Sequence, residues 1–577
     1  KKLGRFLIGP LFASINMTHI TKHQIILGLI FVLAFVLRIY GLNWDQGFHL
    51  HPDERFLTML ATDISLPSSL KDYFDYSTSP LNPYNYDQYR FYVYGTFPVF
   101  LTKIIAVILN LNNYHHLVLI GRVLSALFDS LNIFIIYFIV KKLWPRSRFL
   151  LLAPLTYSLL ILPVQLSHFF AVDTFLNFFL LLSFCLLLYQ KIIPASLAFA
   201  LALSCKVSAF YFLPILFLLW LWLFLKAKQK NSILFSTLSA FLVSILFFRL
   251  ISPYTFSSSF QLSPDFLNSL NSLQYYSRPD SFYPPGIQWL NRSLLLHPLQ
   301  NLLIWGLGLP FSVFFLILLV KSFKKFRLNF NPVLIIVIWT VALFVFQSIQ
   351  FSHSMRYYLL IYPYLSLIFT LLFARFCLNK KFLSWFLVLQ FLSVCAFLSI
   401  YSRPHSRVQA SRWILDNIPF DKKLSAESWD DALPLGSSPY QIISLSFFDQ
   451  DTSQKWQQIN ADLNQIDYLV LSSNRLWASI PRVPDFYPIS SQFYQDLFSG
   501  NQGFSLINRF HSYPGIPLPF LKQCIYFGPT NYPGQRTSWL DIDHNCSYPG
   551  IYFRDDTAEE AFTVYDHPQV LIFKKKS

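Results

Sequence analysis

Charged side chains are scarce in this chain. Asp, Glu, Lys and Arg make up 13% of its 577 residues, about half the share of an ordinary soluble domain. With 54% hydrophobic and 19% aromatic residues, one soluble core does not suffice to bury the apolar surface. A soluble globular chain is therefore excluded, and lipid must form part of the solvent. Acids are scarcest in the first 400 residues, which hold eleven of the 29 Asp and Glu against thirty of the 45 Lys and Arg. No phosphate-cradling P-loop, dinucleotide fingerprint or Cys-rich zinc motif is present, which argues against nucleotide-driven chemistry. Cysteine is rare, at six residues, and Cys185, Cys205, Cys377 and Cys395 lie within apolar runs.

Those runs are what the chain has in abundance. Stretches of about 20 residues, enough to cross a hydrocarbon core, occur near 24–42, 117–140, 149–167, 171–189, 192–209, 210–225, 232–252, 299–320, 331–350, 357–376 and 381–400. They predict eleven spans. The basic start at Lys1, Lys2 and Arg5 leads into a full-length run, so the first helix is expected to stay as an anchor. Further basic clusters fall at Lys141 to Arg146, Lys191, Lys226 to Lys230, Lys321 to Arg327 and Arg375 to Lys381, all at even-numbered connections. The positive-inside rule then puts the N-terminus in the cytoplasm and residues 401–577 outside. Cluster position accounts for the net charge of +16 without a nucleic-acid surface.

The fold class that follows is an α-helical polytopic protein of the cell (plasma or inner) membrane, with residues 1–400 in the bilayer part and 401–577 as an extracytoplasmic α/β domain. Acids gather on one side. Asp45, Asp53, Glu54, Asp63, Asp72, Asp75 and Asp87 lie in the first outer loop, 43–116, and Asp265 and Asp280 in the fourth. Within the first loop, 54–60 reads as an interfacial amphipathic helix with Pro52 near its first turn, and a second such helix runs from Tyr94 to Leu109. The stretch Tyr73 to Tyr94 between them, rich in Tyr, Asn, Asp and Pro, reads as an ordered aromatic loop. Beyond 401, a helix at 411–415, strands at 440–445 and 466–471, a helix near 453–464 and a closing strand at 570–573 give the α/β pattern. Cys524 and Cys546 are the only cysteines there, and an oxidising outside predicts a disulfide stapling a Pro/Gly-rich excursion near 515–550. Two unpaired thiols, in a cell without an oxidising pathway, is the alternative.

Asp53 and Glu54 stand at the start of the first interfacial helix, where the dipole and free amides favour anions. Capping or plain solvation is the ordinary reading of such a pair. Leu37-Arg38-Ile39-Tyr40-Gly41-Leu42 followed by His51-Pro52-Asp53-Glu54, however, resembles the start of polyprenyl-phosphate-sugar-dependent glycosyltransferases of the GT-C superfamily. Bacterial relatives of the protein O-mannosyltransferases (family 39) and the aminoarabinose transferases belong there. Gly121 to Ala126, Ser167 to Thr174, Lys206-Val207-Ser208 and Arg356-Tyr357-Tyr358 before Pro363 agree in order, so the resemblance spans most of 30–375. Trp413 to Pro419, Ser428 to Asp431 and Ala558 to Pro568 resemble the outer domain of bacterial members, with no catalytic role attached, and mark the Cys524–Cys546 stretch as an insertion.

The resemblance implies inverting transfer of a sugar from a polyprenyl-phosphate-linked donor to an acceptor hydroxyl on the outer side. Such chemistry needs a carboxylate to deprotonate the hydroxyl and cations to hold the departing phosphate. Asp53 matches the position of the base, and Glu54 is the expected helper, binding acceptor or sugar hydroxyls. Asp173 is expected to face the same cavity, with a helix N-cap as its other reading. Lys206 and Arg356, with Tyr357 beside it, are expected to hold phosphate rather than snorkel. Arg122 is a weaker candidate that pairs alternatively with a first-loop acid, and His168 is a candidate lining residue. Asp129, in mid-span, calls for a buried partner.

His49, His51, Asp53, Glu54 and His168 carry atoms able to bind a divalent ion, yet their spacing is not that of a closed metal site; no metal or other cofactor is assigned. The expected partners are the lipid-linked donor, the bilayer and an acceptor of open identity, whether protein, lipid or wall glycan. The competing reading is a transporter or flippase of lipid-linked sugars, which would place polar sites near the midplane in repeated halves. No repeat is present.

Overall fold

The computed structural model describes residues 21–322, 330–376, 379–544 and 546–576. Lys1, Lys2 and Arg5, most of the Lys321 to Arg327 cluster, and Cys377 lie outside the described residues. All eleven apolar runs form helices, but not eleven of spanning length. Among the described residues six helices are long and apolar enough to cross a bilayer, seven if the pair Leu296–Gly306 and Leu309–Ser322, bent by 116°, is one span. Three further runs give the shorter helices Val172–Leu188, Ile192–Leu203 and Pro332–Ser348. The chain is a multi-pass membrane protein.

Local chemistry sets the helix starts. Thr21 and Gln24 form a reciprocal capping box ahead of Lys22–Ile39, and the Asn113 side chain accepts from the amide of His116 at 3.0 Å to open Tyr114–Leu143. The run at 149–167 is instead two buried helices, Leu152–Ser158 and Ile161–Leu166. Pro163 has no N–H to offer the carbonyl of Leu159, and the side chain of Gln390 donates to that oxygen at 2.7 Å. The same amide spans the bend at Gly308, donating to the Leu307 carbonyl at 2.9 Å and accepting from the Phe311 amide at 2.9 Å. In hydrocarbon, where water cannot serve freed backbone groups, this one side chain closes two helix breaks. Asp129 meets Arg38 of the first helix at 2.7 Å, and Tyr157 donates to its other oxygen at 2.6 Å.

The first outer loop folds over the helices. Its two helices run Pro52–Asp63 and Phe97–Ile108, and the aromatic stretch between them packs Tyr89 and Tyr92 with Leu57, Leu60 and Phe100 in a core of their own.

Beyond residue 401, helix Ser406–Asn417 leads into a five-stranded sheet. Its strands are β1 (Lys423–Glu427), β2 (Gln441–Leu445), β3 (Tyr468–Leu471), β4 (Phe504–Phe510) and β9 (Val570–Lys575), in the order β2-β1-β3-β9-β4. β1 is parallel to β2 and β3, while β9 is antiparallel to both β3 and β4. Every residue of β3 is buried, as its unbroken apolar sequence requires. Between β4 and β9 the chain forms a second sheet from β5 (Gly515–Pro517), β6 (Cys524–Phe527), β7 (Leu540–Asp543) and β8 (Gly550–Phe553), ordered β5-β8-β6-β7. Cys524 and Cys546 are joined by a disulfide, with Cα atoms 6.0 Å apart.

Candidate active site

Helix Pro52–Asp63 begins where the chain returns from the first span. His51 caps it, its Nδ1 accepting from the amide of Glu54 at 3.3 Å, and Pro52 takes the first turn, where no N–H is required. Neighbouring helix positions lie about 100° apart, so Asp53 and Glu54 face different surroundings.

Glu54 points inward and is fully buried. Its oxygens accept from Arg122 at 2.5 and 2.9 Å and from the Phe170 amide at 2.7 Å. Arg122 spends its remaining donors on Asp45, at 2.8 and 3.2 Å, and on the Leu42 carbonyl at 2.7 Å, and its guanidinium lies over the ring of Trp44. Neither residue has a group free for a sugar or phosphate. This corrects the expected helper role of Glu54 and the phosphate role of Arg122: together they fasten the first loop to the second span, the alternative the sequence offered for Arg122. His168 is likewise corrected. Its ring nitrogens lie 2.8 and 2.9 Å from the carbonyls of Val164 and Tyr40, and the ring stacks on Tyr401 at 4.0 Å. It is a buried brace.

Asp53 faces the other way. Its carboxylate pairs with the guanidinium of Arg356 and accepts from the hydroxyl of Tyr94, and about a fifth of each partner of the ion pair stays open, 23% and 22%. Burial alone would raise the Asp53 carboxyl; the Arg356 charge, aided by His51 and Tyr94, holds it well below the usual carboxylate range. Burial pushes His51 down to about 4, so its ring is neutral at pH 7, as its capping bond requires. Asp173, in the first turn of Val172–Leu188, takes Lys206 at 2.8 Å. The ring of Tyr357 joins the pairs, with the Lys206 ammonium 4.9 Å and the Arg356 guanidinium 5.5 Å from its centre. Asp53, Asp173, Lys206, Arg356 and Tyr357, drawn from four separate segments, thus form one partly open cluster of two acids and two cations.

The α/β domain reaches this cluster with residues that sequence reasoning left without a role. Glu559 accepts from the amide of Met355 at 3.0 Å and from the Ser354 hydroxyl at 3.3 Å, fixing the start of the turn Met355–Ile361 that carries Arg356 and Tyr357. The ring of Tyr565 packs 4.5 Å from that of His51. Behind them, His567 lies between Asp566 at 2.5 Å and Asp555 at 2.7 Å, and Asp566 also accepts from Gln165 of the membrane part and from Tyr401 just past the last apolar helix. Burial opposes charge on His567, but the two carboxylates raise it to about 10, so it is an imidazolium. Only the segment 558–568 as a whole signalled Glu559, Tyr565, Asp566 and His567, and Asp555 carried no signal. Among the described residues no group of three or more His, Cys, Asp or Glu is placed to hold a metal ion, and the Cys524–Cys546 disulfide belongs to the second sheet.

No family model matches the chain, and no curated protein matches it. Solved structures do. ArnT from Cupriavidus metallidurans in the apo state aligns at 15% identity and a TM-score of 0.39, over 66% of this chain and 65% of that one, so under two thirds of its length is spanned. The same protein bound to undecaprenyl phosphate aligns at 13% identity and 0.45, over 85% and 97%. The oligosaccharyltransferase of Archaeoglobus fulgidus in the apo form aligns at 14% and 0.47, over 82% and 72%.

Proposed function

We propose that this protein is a glycosyltransferase that moves a sugar from a polyprenyl-phosphate-linked donor to an acceptor hydroxyl, with inversion, on the outer side of the plasma membrane. The topology read from the basic clusters, cytoplasmic N-terminus and outer α/β domain, goes with it, as does the division at about residue 400. The observation that carries the reading is the meeting of two ion pairs, Asp53 with Arg356 and Asp173 with Lys206, around the ring of Tyr357. One carboxylate and two cations are what the transfer asks for.

In the resting arrangement Arg356 neutralises Asp53 and leaves it a weak base. A donor phosphate bound by Lys206 competes for the same guanidinium, and as Arg356 turns to it the Asp53 carboxyl rises toward its ordinary value. Asp53 then takes the acceptor O–H proton as the oxygen attacks the anomeric carbon. The bond from that carbon to the phosphate oxygen breaks, its electron pair stays on the lipid phosphate, and Arg356 and Lys206 hold the charge. Asp173 keeps the Lys206 ammonium in place.

The test is release of sugar from a polyprenyl-phosphate donor by purified protein, which a flippase would leave intact. Asp53→Asn is expected to abolish transfer while donor binding persists. Transfer at the wild-type rate in that variant would remove Asp53 as the base.

A further inference from the structure

The second sheet has two unlike faces. Side chains of adjacent residues alternate between faces, and directly paired residues share one. On one face Cys524, Tyr526 and Tyr552 pack with Tyr513, and Arg403 lays its guanidinium on the Tyr552 ring at 4.9 Å. On the other, the register sets Ile516, Ile551, Ile525 and Ile542 in one row across all four strands, with Phe553, Phe527 and Leu540 in the next. No polar side chain interrupts either row. Phe527, Leu540, Ile542 and Phe553 are exposed, Leu540 at 51%, and Phe520, just past β5, is bare at 76%. Lipid-facing positions of the spanning helices are as bare, Phe235 at 74% and Leu29 at 63%. A soluble surface rarely leaves a contiguous apolar patch like this uncovered.

Its height relative to the bilayer is fixed by contacts at the end of the last apolar helix, Lys380–Leu398. The amide of Gly515 donates to the Ser399 hydroxyl at 3.2 Å, and Arg403 donates to the Tyr513 carbonyl at 2.6 Å. The sheet therefore sits where that helix leaves the hydrocarbon, the level at which Trp and other aromatic side chains collect on membrane proteins. We propose that this face is a membrane-binding surface: its isoleucine and phenylalanine rows rest in the lipid of the leaflet on the α/β domain's side, with Phe520 at their edge. The disulfide ties the start of β6 to the loop before β8, bracing the sheet in that position. The inference does not depend on the catalytic reading.

The experiment places a photoreactive p-benzoylphenylalanine at position 520, 540 or 420 of the protein in nanodiscs of phosphatidylethanolamine and phosphatidylglycerol. Phe420, itself 62% exposed, lies just beyond the C-terminal end of helix Ser406–Asn417 and serves as the reference. After illumination, phospholipid adducts at positions 520 and 540 are expected at tenfold or more the level at 420, with the Cys524–Cys546 bond intact by mass. Adducts at 520 and 540 no more frequent than at 420, or cross-links there to a second copy of the chain instead of lipid, would overturn the proposal.

Discussion

Replacing Arg356 by glutamine tests the coupling between Asp53 and its cation without touching the proposed base. A unit-charge pair at about 4 Å, in surroundings of effective dielectric near 20, is worth about 4 kcal/mol, or about 3 pK units. With 23% and 22% of the two side chains open, solvent screening trims this to about 1–2 units. The folded-state pKa of Asp53 is depressed, so its base form persists as pH falls until well below the usual carboxylate range. Without Arg356 the largest lowering influence is gone, His51 and Tyr94 alone oppose burial, and the carboxyl rises toward the usual carboxylate range. The acid limb of kcat/KM reports the free enzyme. It is expected to be absent down to pH ~4 in the wild type and to appear at about pH 4–5 in Arg356→Gln, measured as sugar release between pH 4 and 8. At pH 7, loss of a charge-assisted phosphate contact worth about 1.5–3 kcal/mol lowers kcat/KM about 10- to 150-fold. Superimposable pH profiles, once scaled, would refute both the coupling and the turn of Arg356 toward phosphate.

Glu54→Ala is expected to cost about 3 kcal/mol of stability, because it strips a buried guanidinium of one partner, while KM for the donor stays near wild type; a selective rise in KM with unchanged heat resistance would return Glu54 to the substrate. His567, raised to about 10 from an ordinary 6.5, contributes stability that is whole below about pH 6.5 and is lost as pH climbs through 10. The inactivation temperature should therefore fall across that window and flatten in His567→Gln, and an equal slope in the variant would count against the buried imidazolium. Gln390→Leu frees the carbonyls of Leu159 and Leu307 and the amide of Phe311, at about 2–4 kcal/mol in all. It should shorten the half-life of activity on heating in detergent; an unchanged half-life would mean that the breaks need no stitch.

Apolar runs made the membrane part legible, because hydropathy reports burial in lipid directly. It does not report where a buried helix breaks: Pro163 was in view, but its freed carbonyl and the glutamine 231 residues away that serves it were not. The strands at Gln441–Leu445 and Tyr468–Leu471 were readable from their β-branched and aromatic runs. The second sheet was not, because β5 and β6 are short and separated by prolines. At the candidate site, residue types and their order named Asp53, Asp173, Lys206, Arg356 and Tyr357 as candidates. What one sequence does not encode locally is which of two adjacent acids turns inward. Glu54 and Arg122 carry the same chemistry as Asp53 and Arg356, and only the packing against Phe170 and Asp45 separates a fastening from an open pair.

The place of β9 bears on when this machine can work. That strand lies between β3 and β4, so the large sheet stays open until the chain has been made as far as residues 570–575. Glu559 and Tyr565, which steady the Arg356 turn and the His51 ring, sit just ahead of it. During synthesis the first loop and its acids are therefore made long before the last strand arrives to complete the domain. A chain cut short before Glu559 holds both Asp53 and Arg356 but lacks the carboxylate that fixes the turn carrying Arg356, so the pair settles into place only when nearly the whole chain has been made.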